Sequence, residues 1–196
     1  MEKIIKRPLS CQPMPENAKR VFKGTLFEVY QWEQLQFDGR IKVFEKIKRP
    51  DSAYIMPIDS NGNIYICYQE QPGSLPYYGL IGGRIENDED PISAAKRELI
   101  EEAGIESSNF FLWKSFQFLP KIDWAIYVFL AKDLAFRERH LDSGEKIKIE
   151  KVSLNELINL AASSKFGNVD IALLLLRTFA DDTEYNILKE HIYSYT

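Results

Sequence analysis

The sequence predicts an α+β domain in which helices cover a mixed β-sheet, and three observations carry that prediction. Runs rich in aromatic and β-branched residues recur, separated by the turn dipeptides Asp38-Gly39 and Asn61-Gly62. Residues 91–103 have the caps and apolar spacing of a helix, and the chain from residue 154 onward reads as further helices. At 196 residues and 45% hydrophobic content, the chain is long enough for one sizeable core.

In chain order, residues 22–32 and 40–48 are expected to form an antiparallel pair across Asp38-Gly39. Residues 53–58 and 64–69 suggest a second pair around Asn61-Gly62, followed by a loop over 71–78 and a strand over 79–85. After the helix, 110–118, 124–131 and 147–153 read as strands, and 154–162, 169–180 and 184–194 as helices. The natural division is an N-terminal β segment, 1–50, ahead of a main domain, 51–196.

Bulk charge narrows the function. Lys plus Arg is 25 and Asp plus Glu is 29, a net charge of −4, which gives no support for nucleic-acid or anionic-membrane partners. Cys11 and Cys67 lack metal spacing, so a reduced cytoplasmic protein is the default expectation. No apolar run approaches a transmembrane length, and the N-terminus has no apolar signal core.

The chemistry is concentrated between Gly83 and Ile105. Asp90 is a good N-cap, Pro91 a good first helical residue, and Gly104 suits the left-handed position past the helix end. Ile92, Ala95 and Leu99 form a core-facing stripe. Glu98, Glu101 and Glu102 fall at i, i+3 and i+4 and are neighbours on another face. Two such charges ~6 Å apart repel by roughly 3 kcal/mol at an effective dielectric of about 20. In a partly buried site that repulsion calls for a cation, and carboxylates without Cys or His suit Mg²⁺ first, with Mn²⁺ as the alternative. Arg97 is placed to pair with Glu101 or Glu89 and so to orient the carboxylates. A solvated acidic helix face is the competing interpretation. Seven fixed Gly, Glu and Arg positions, each with a frequency near one in fifteen, match by chance roughly once in 10^8 placements, so the pattern is inherited.

The spacing of Gly83, Glu89, Arg97, Glu98, Leu99, Glu101, Glu102, Gly104 and Ile105 resembles the full box of the Nudix hydrolases at every defining position. The resemblance implies a Nudix-type α/β/α sandwich with a mixed sheet. It also implies hydrolysis of a nucleoside diphosphate linked to another moiety, with divalent metal held by the box glutamates. Carried over by position, Glu98 and Glu102 are the main metal ligands and Glu101 a further ligand or base. Arg97 and Glu89 are their orienting pair, and the carbonyl of Gly82 or Gly83 is an extra ligand. Related enzymes often recruit a base from a later loop; Glu145 is the candidate, followed by Asp142 and Glu101.

The N-terminal segment and Pro120 resemble the ADP-ribose pyrophosphatase and nucleotide-sugar branch, whose N-terminal sheet is exchanged in a homodimer. Two positions depart from that branch. Gln71 stands where an arginine usually contacts substrate, so a charge-assisted contact becomes at best a neutral one. Leu80-Ile81-Gly82-Gly83 replaces the usual approach to the box, with Arg84 positioned to supply positive charge. Tyr77, Tyr78, Trp113, Phe118 and Trp124 are stacking candidates for a base, with one of the five expected to touch it, and Tyr78 is taken with Gln71 and Arg84 as the substrate-binding set. Two readings compete with a Mg²⁺-dependent pyrophosphatase acting on ADP-ribose or a related sugar. One is a nucleotide-sensing module without turnover; the other is a Nudix hydrolase of dinucleoside polyphosphates or nucleoside triphosphates.

Overall fold

The computed structural model describes residues 5–139 and 146–194. The chain begins with a meander of β1 (Lys19–Lys23), β2 (Glu28–Leu35) and β3 (Ile41–Lys48). It continues through β4 (Ser52–Pro57), β5 (Ile64–Glu70), β6 (Tyr77–Gly79) and β7 (Ile81–Arg84) to helix α1 (Pro91–Ala103). Then come β8 (Ile105–Gln117), β9 (Ile122–Asp123), β10 (Ala125–Phe136), β11 (Lys146–Val152), α2 (Leu154–Ala161), α3 (Val169–Ala180) and α4 (Asp182–Tyr193). Among the described residues, no helix is long and apolar enough to cross a membrane.

The strands form three sheets, ordered β1-β2-β3-β9, β7-β4-β10-β8 and β11-β5-β6. In the second, β4 and β10 run parallel, while β7 and β8 are antiparallel to their neighbours, which makes the sheet mixed. Side chains alternate across a pleated strand, and both faces here are covered. From β4 and β10, Ala53, Ile55, Tyr127 and Phe129 pack with Ala94, Ala95 and Leu99 of α1. Tyr54, Met56, Ile126 and Val128 join Leu157, Ile171, Leu175 and Leu188 of the three C-terminal helices on the other face. The result is the predicted α/β/α sandwich. Each fully buried Leu or Ile contributes about 1.5–3 kcal/mol.

Several expectations are corrected. The strand read over 22–32 is broken by a tight turn in which Gly24 N–H donates to Phe27 O, separating β1 from β2. The strands on either side of Asn61-Gly62 are not a hairpin. After one bridge, Ile58 to Ile64, β4 pairs with β7 and β10, while β5 pairs with β6 and β11. The single strand expected over 79–85 is two strands in different sheets, parted at the buried Leu80. The first post-helix strand begins five residues early, at Ile105 directly after the αL cap Gly104.

The turn between β4 and β5 is held by Asp59. One of its oxygens accepts from the backbone N–H groups of Asn61 and Asn63, both at 2.9 Å, and the other from Lys151 Nζ at 3.0 Å. Burial pushes this carboxyl up, but the bonds from Asn63, Lys151 and Asn61 outweigh it and hold the pKa at about 2, against an ordinary 3.8. A depressed carboxylate pKa gives stability that is complete above the unfolded value and is lost as pH falls through the folded one. Asp59→Ala is therefore expected to cost about 1–2 kcal/mol at neutral pH. In urea melts, the gap from wild type should close as pH drops from about 4 towards 2. A gap that widens with acid would show that the carboxylate is not what holds the turn.

Candidate active site

Asp90 starts α1 by accepting from the backbone N–H groups of Ile92 and Ser93 at 3.0 and 3.1 Å, and Gly104 ends it at φ 63°. Between these caps the helix packs Ala94, Ala95 and Leu99 against the sheet, which fixes where its glutamates point. Glu102 is 7% exposed and accepts from Gly82 N–H at 2.9 Å, joining α1 to β7. Glu98 lies against Gly83, where a side chain would begin 2.5 Å from its carboxylate oxygen. Glu101 is more open, with 47% of its side chain exposed.

Arg97 holds this cluster together. Its guanidinium donates to both oxygens of Glu89, at 3.1 and 3.0 Å, to Glu98 at 2.9 Å and to Glu101 at 3.0 Å. A further bond runs to the carbonyl of Arg84 at 3.0 Å. The hydrogen bond to Glu89 contributes most to keeping Arg97 firmly charged. In return Arg97 holds the Glu89 carboxyl below its ordinary value, against the effect of burial. Glu89 also accepts from Glu86 N–H at 3.0 Å, so the loop before the helix is organised from the same point.

Beside the cluster lies a cleft of about 890 Å³. Of the residues singled out from sequence, Gln71, Gly82, Gly83, Arg84, Arg97, Glu98, Glu101 and Glu102 line it. Glu89 stands behind them. Tyr78 does not line the cleft: its ring packs at a tilt against Tyr68, centroids 4.8 Å apart, and its neighbour Tyr77 lines the wall instead. Trp113 is core at 8% exposure, and Phe118 lines a separate pocket beside Arg177. Trp124 supports Arg49, whose guanidinium lies 4.3 Å from the ring centroid. Glu145 and Asp142 lie outside the described residues.

Arg49, Tyr54, Gln69 and Asn168 also line the cleft, and the sequence had not singled them out. An Asn directly before a helix reads as a cap, yet Asn168 makes no side-chain capping bond and instead accepts from Leu80 N–H at 3.1 Å. The sequence signal for Tyr54 is a phenol inside the apolar run Ala53-Tyr54-Ile55-Met56, which the structure buries throughout as β4.

As they stand among the described residues, no three Asp, Glu, His or Cys side chains are gathered tightly enough to hold an ion. Glu98 and Glu101 are turned to Arg97, and Glu102 to Gly82. The donor set nonetheless fits a hard divalent cation: three carboxylates on one helix, all bordering one cleft, with only oxygen to offer. Arg97 bonds one oxygen of Glu98 and one of Glu101, and a carboxylate held through one oxygen can ligate an ion through the other.

The NUDIX domain family matches residues 48–171. The ADP-ribose pyrophosphatase of Bacillus subtilis (strain 168) is 26% identical over 149 residues, 74% of this chain and 80% of that protein. The methanol dehydrogenase activator of Bacillus methanolicus is 25% identical over 145 residues, 72% of this chain and 78% of that protein. A crystal structure of an ADP compounds hydrolase shares the fold, with a TM-score of 0.68 at 23% identity over 90% of this chain and 96% of its own. With its box segment folded as a capped acidic helix against a glycine strand, and the family match spanning most of the chain, the protein belongs to the Nudix family of pyrophosphohydrolases.

Proposed function

We propose that the protein hydrolyses the pyrophosphate bond of ADP-ribose or a related nucleoside diphosphate sugar, giving a nucleoside monophosphate and a sugar phosphate, with Mg²⁺ as the preferred ion. The observation that carries this reading is the intact acidic set Glu98, Glu101 and Glu102, organised by one arginine at the edge of a cleft. The name of the Bacillus subtilis relative supports the substrate class.

In this reading Glu98, Glu102 and Glu101 hold the ion, with the Gly82 carbonyl as an additional ligand. Bound there, a divalent ion supplies charge neutralisation at the phosphate oxygens and acidifies a coordinated water. The protein's own part is positional. Gly82 N–H fixes the rotamer of Glu102, and Arg97, braced by Glu89, limits where Glu98 and Glu101 can swing. Gln71, Arg84 and Tyr77 face the substrate from the remaining cleft. The proton of the attacking water goes to a carboxylate, Glu145 first, with Asp142 and Glu101 as the alternatives.

The test is product analysis with Mg²⁺ or Mn²⁺ on ADP-ribose, ADP-glucose, GDP-mannose, diadenosine polyphosphates and nucleoside triphosphates, with Glu145→Gln alongside. Cleavage of a diphosphate sugar to a nucleoside monophosphate and a sugar phosphate is expected. Turnover confined to polyphosphates sinks the substrate class, binding without turnover leaves a sensor, and full turnover by Glu145→Gln removes that residue as the base.

The same reading takes residues 1–50 as a dimerisation segment. Val21, Phe22, Leu35, Ile41 and Val43 of the N-terminal meander are each more than half exposed, an apolar content that a second copy would cover. Sedimentation at micromolar concentration should give a dimer, and a monomer there would remove this role.

A further inference from the structure

The cleft has two chemically different sides. Arg84, Glu86, Arg97 and the three helix glutamates bring formal charge from β7, α1 and the loop between them, and Arg49 adds a cation from the link between β3 and β4. A second group of lining residues, Tyr54, Gln69, Gln71, Tyr77 and Asn168, offers uncharged polar and aromatic side chains, with Arg49 close enough to act on the Tyr54 phenol. It comes from β4, β5, β6 and the loop joining α2 to α3.

That loop is stitched to β6: Tyr78 N–H donates to Lys165 O and Gly167 N–H donates to Tyr78 O, each at 2.8 Å. Its last residue, Asn168, is locked through Oδ1, which accepts from Leu80 N–H at 3.1 Å. The amide reaches this position because Gly79 has no side chain; a Cβ there would collide with Asn168 Oδ1. Asn168 Nδ2 lies 3.5 Å from the Tyr54 hydroxyl, long enough that both groups keep most of their hydrogen-bonding capacity. Burial holds the Tyr54 phenol well above its ordinary pKa, so it remains a neutral donor.

We propose that Tyr54, Tyr77 and Asn168 form a specificity-determining wall that recognises the uncharged sugar of a nucleoside diphosphate sugar, an inference that rests on the function proposed above. Sugar hydroxyls both donate and accept, and a fixed phenol and amide with spare capacity match that requirement. The ring of Tyr77 offers an apolar face to the sugar's C–H groups. A wall built to bond hydroxyls also discriminates against ligands that lack them, because its own polar groups are then left unpaired.

The experiment compares kcat/KM for a nucleoside diphosphate sugar with that for the methyl ester of the same nucleoside diphosphate, in wild type, Tyr54→Phe and Asn168→Asp. Asn168→Asp keeps the acceptor for Leu80 N–H while removing the donor. The sugar-over-methyl preference should fall by roughly fivefold in Tyr54→Phe, the loss of one hydrogen bond, and at least as far in Asn168→Asp. Equal losses on both substrates, no loss on either, or a change only in base preference between adenine and guanine would overturn the wall. If wild type cleaves no diphosphate sugar, the functional reading fails on wild type alone and the wall fails with it.

Discussion

Glu102→Gln is expected to lower kcat by about a thousandfold or more, ~4 kcal/mol of transition-state stabilisation, while the variant melts within a few degrees of wild type. The two halves of that expectation have different origins. Glu102 accepts from Gly82 N–H at 2.9 Å, and the carbonyl oxygen of a glutamine can accept the same bond, so the join between α1 and β7 survives. What disappears is a negative charge at a buried position of the cleft. Steady-state turnover beside a thermal melt separates the two. A folded variant that retains turnover within tenfold of wild type would take Glu102 out of the chemistry.

The adjacent glycines should respond in opposite ways to the same methyl group. Gly82 has φ 140°, and a Cβ there would run into the backbone oxygen of Ala53 and come within 2.8 Å of Tyr54 Cα, in the middle of a sheet that cannot recede. Gly82→Ala should cost about 3–5 kcal/mol, from strained backbone and overpacking together. At Gly83 the methyl meets only the carboxylate of Glu98, at 2.5 to 2.9 Å, which is the flexible end of a side chain. Gly83→Ala should fold normally and lose roughly a hundredfold in activity, because a displacement near 1 Å at a reacting centre costs about that much. Denaturant melts and turnover on both variants check the contrast, and an active Gly83→Ala would mean that Glu98 is free to shift without consequence.

What the sequence made legible was local. The limits of α1, its Asp90 and Gly104 caps and the pairing of Arg97 with Glu89 and Glu101 all follow from helical spacing over a short stretch. Strand partnership was not local. Asn61-Gly62 does make its turn, with Gly62 at φ 78°, but β4 and β5 part after a single bridge because partners far along the chain, β10 and β11, claim them. The exchange of Tyr78 for Tyr77 has the same root. Side chains alternate along a strand, so the face of each tyrosine depends on a register that sequence alone leaves open by one residue. Asn168 was hidden because its bond reaches back 88 residues to Leu80, whereas its position before a helix suggested an ordinary cap.

The arrangement around Arg97 also determines what kind of receptor the cleft is. Glu89, Glu98 and Glu101 share the one guanidinium of Arg97, and with Glu102 from the same helix they leave the cluster three charges negative. A bare pyrophosphate approaching it meets repulsion from a site whose one central cation is already shared among three partners. The cluster is thus a poor host for a free anion and a good host for a cation.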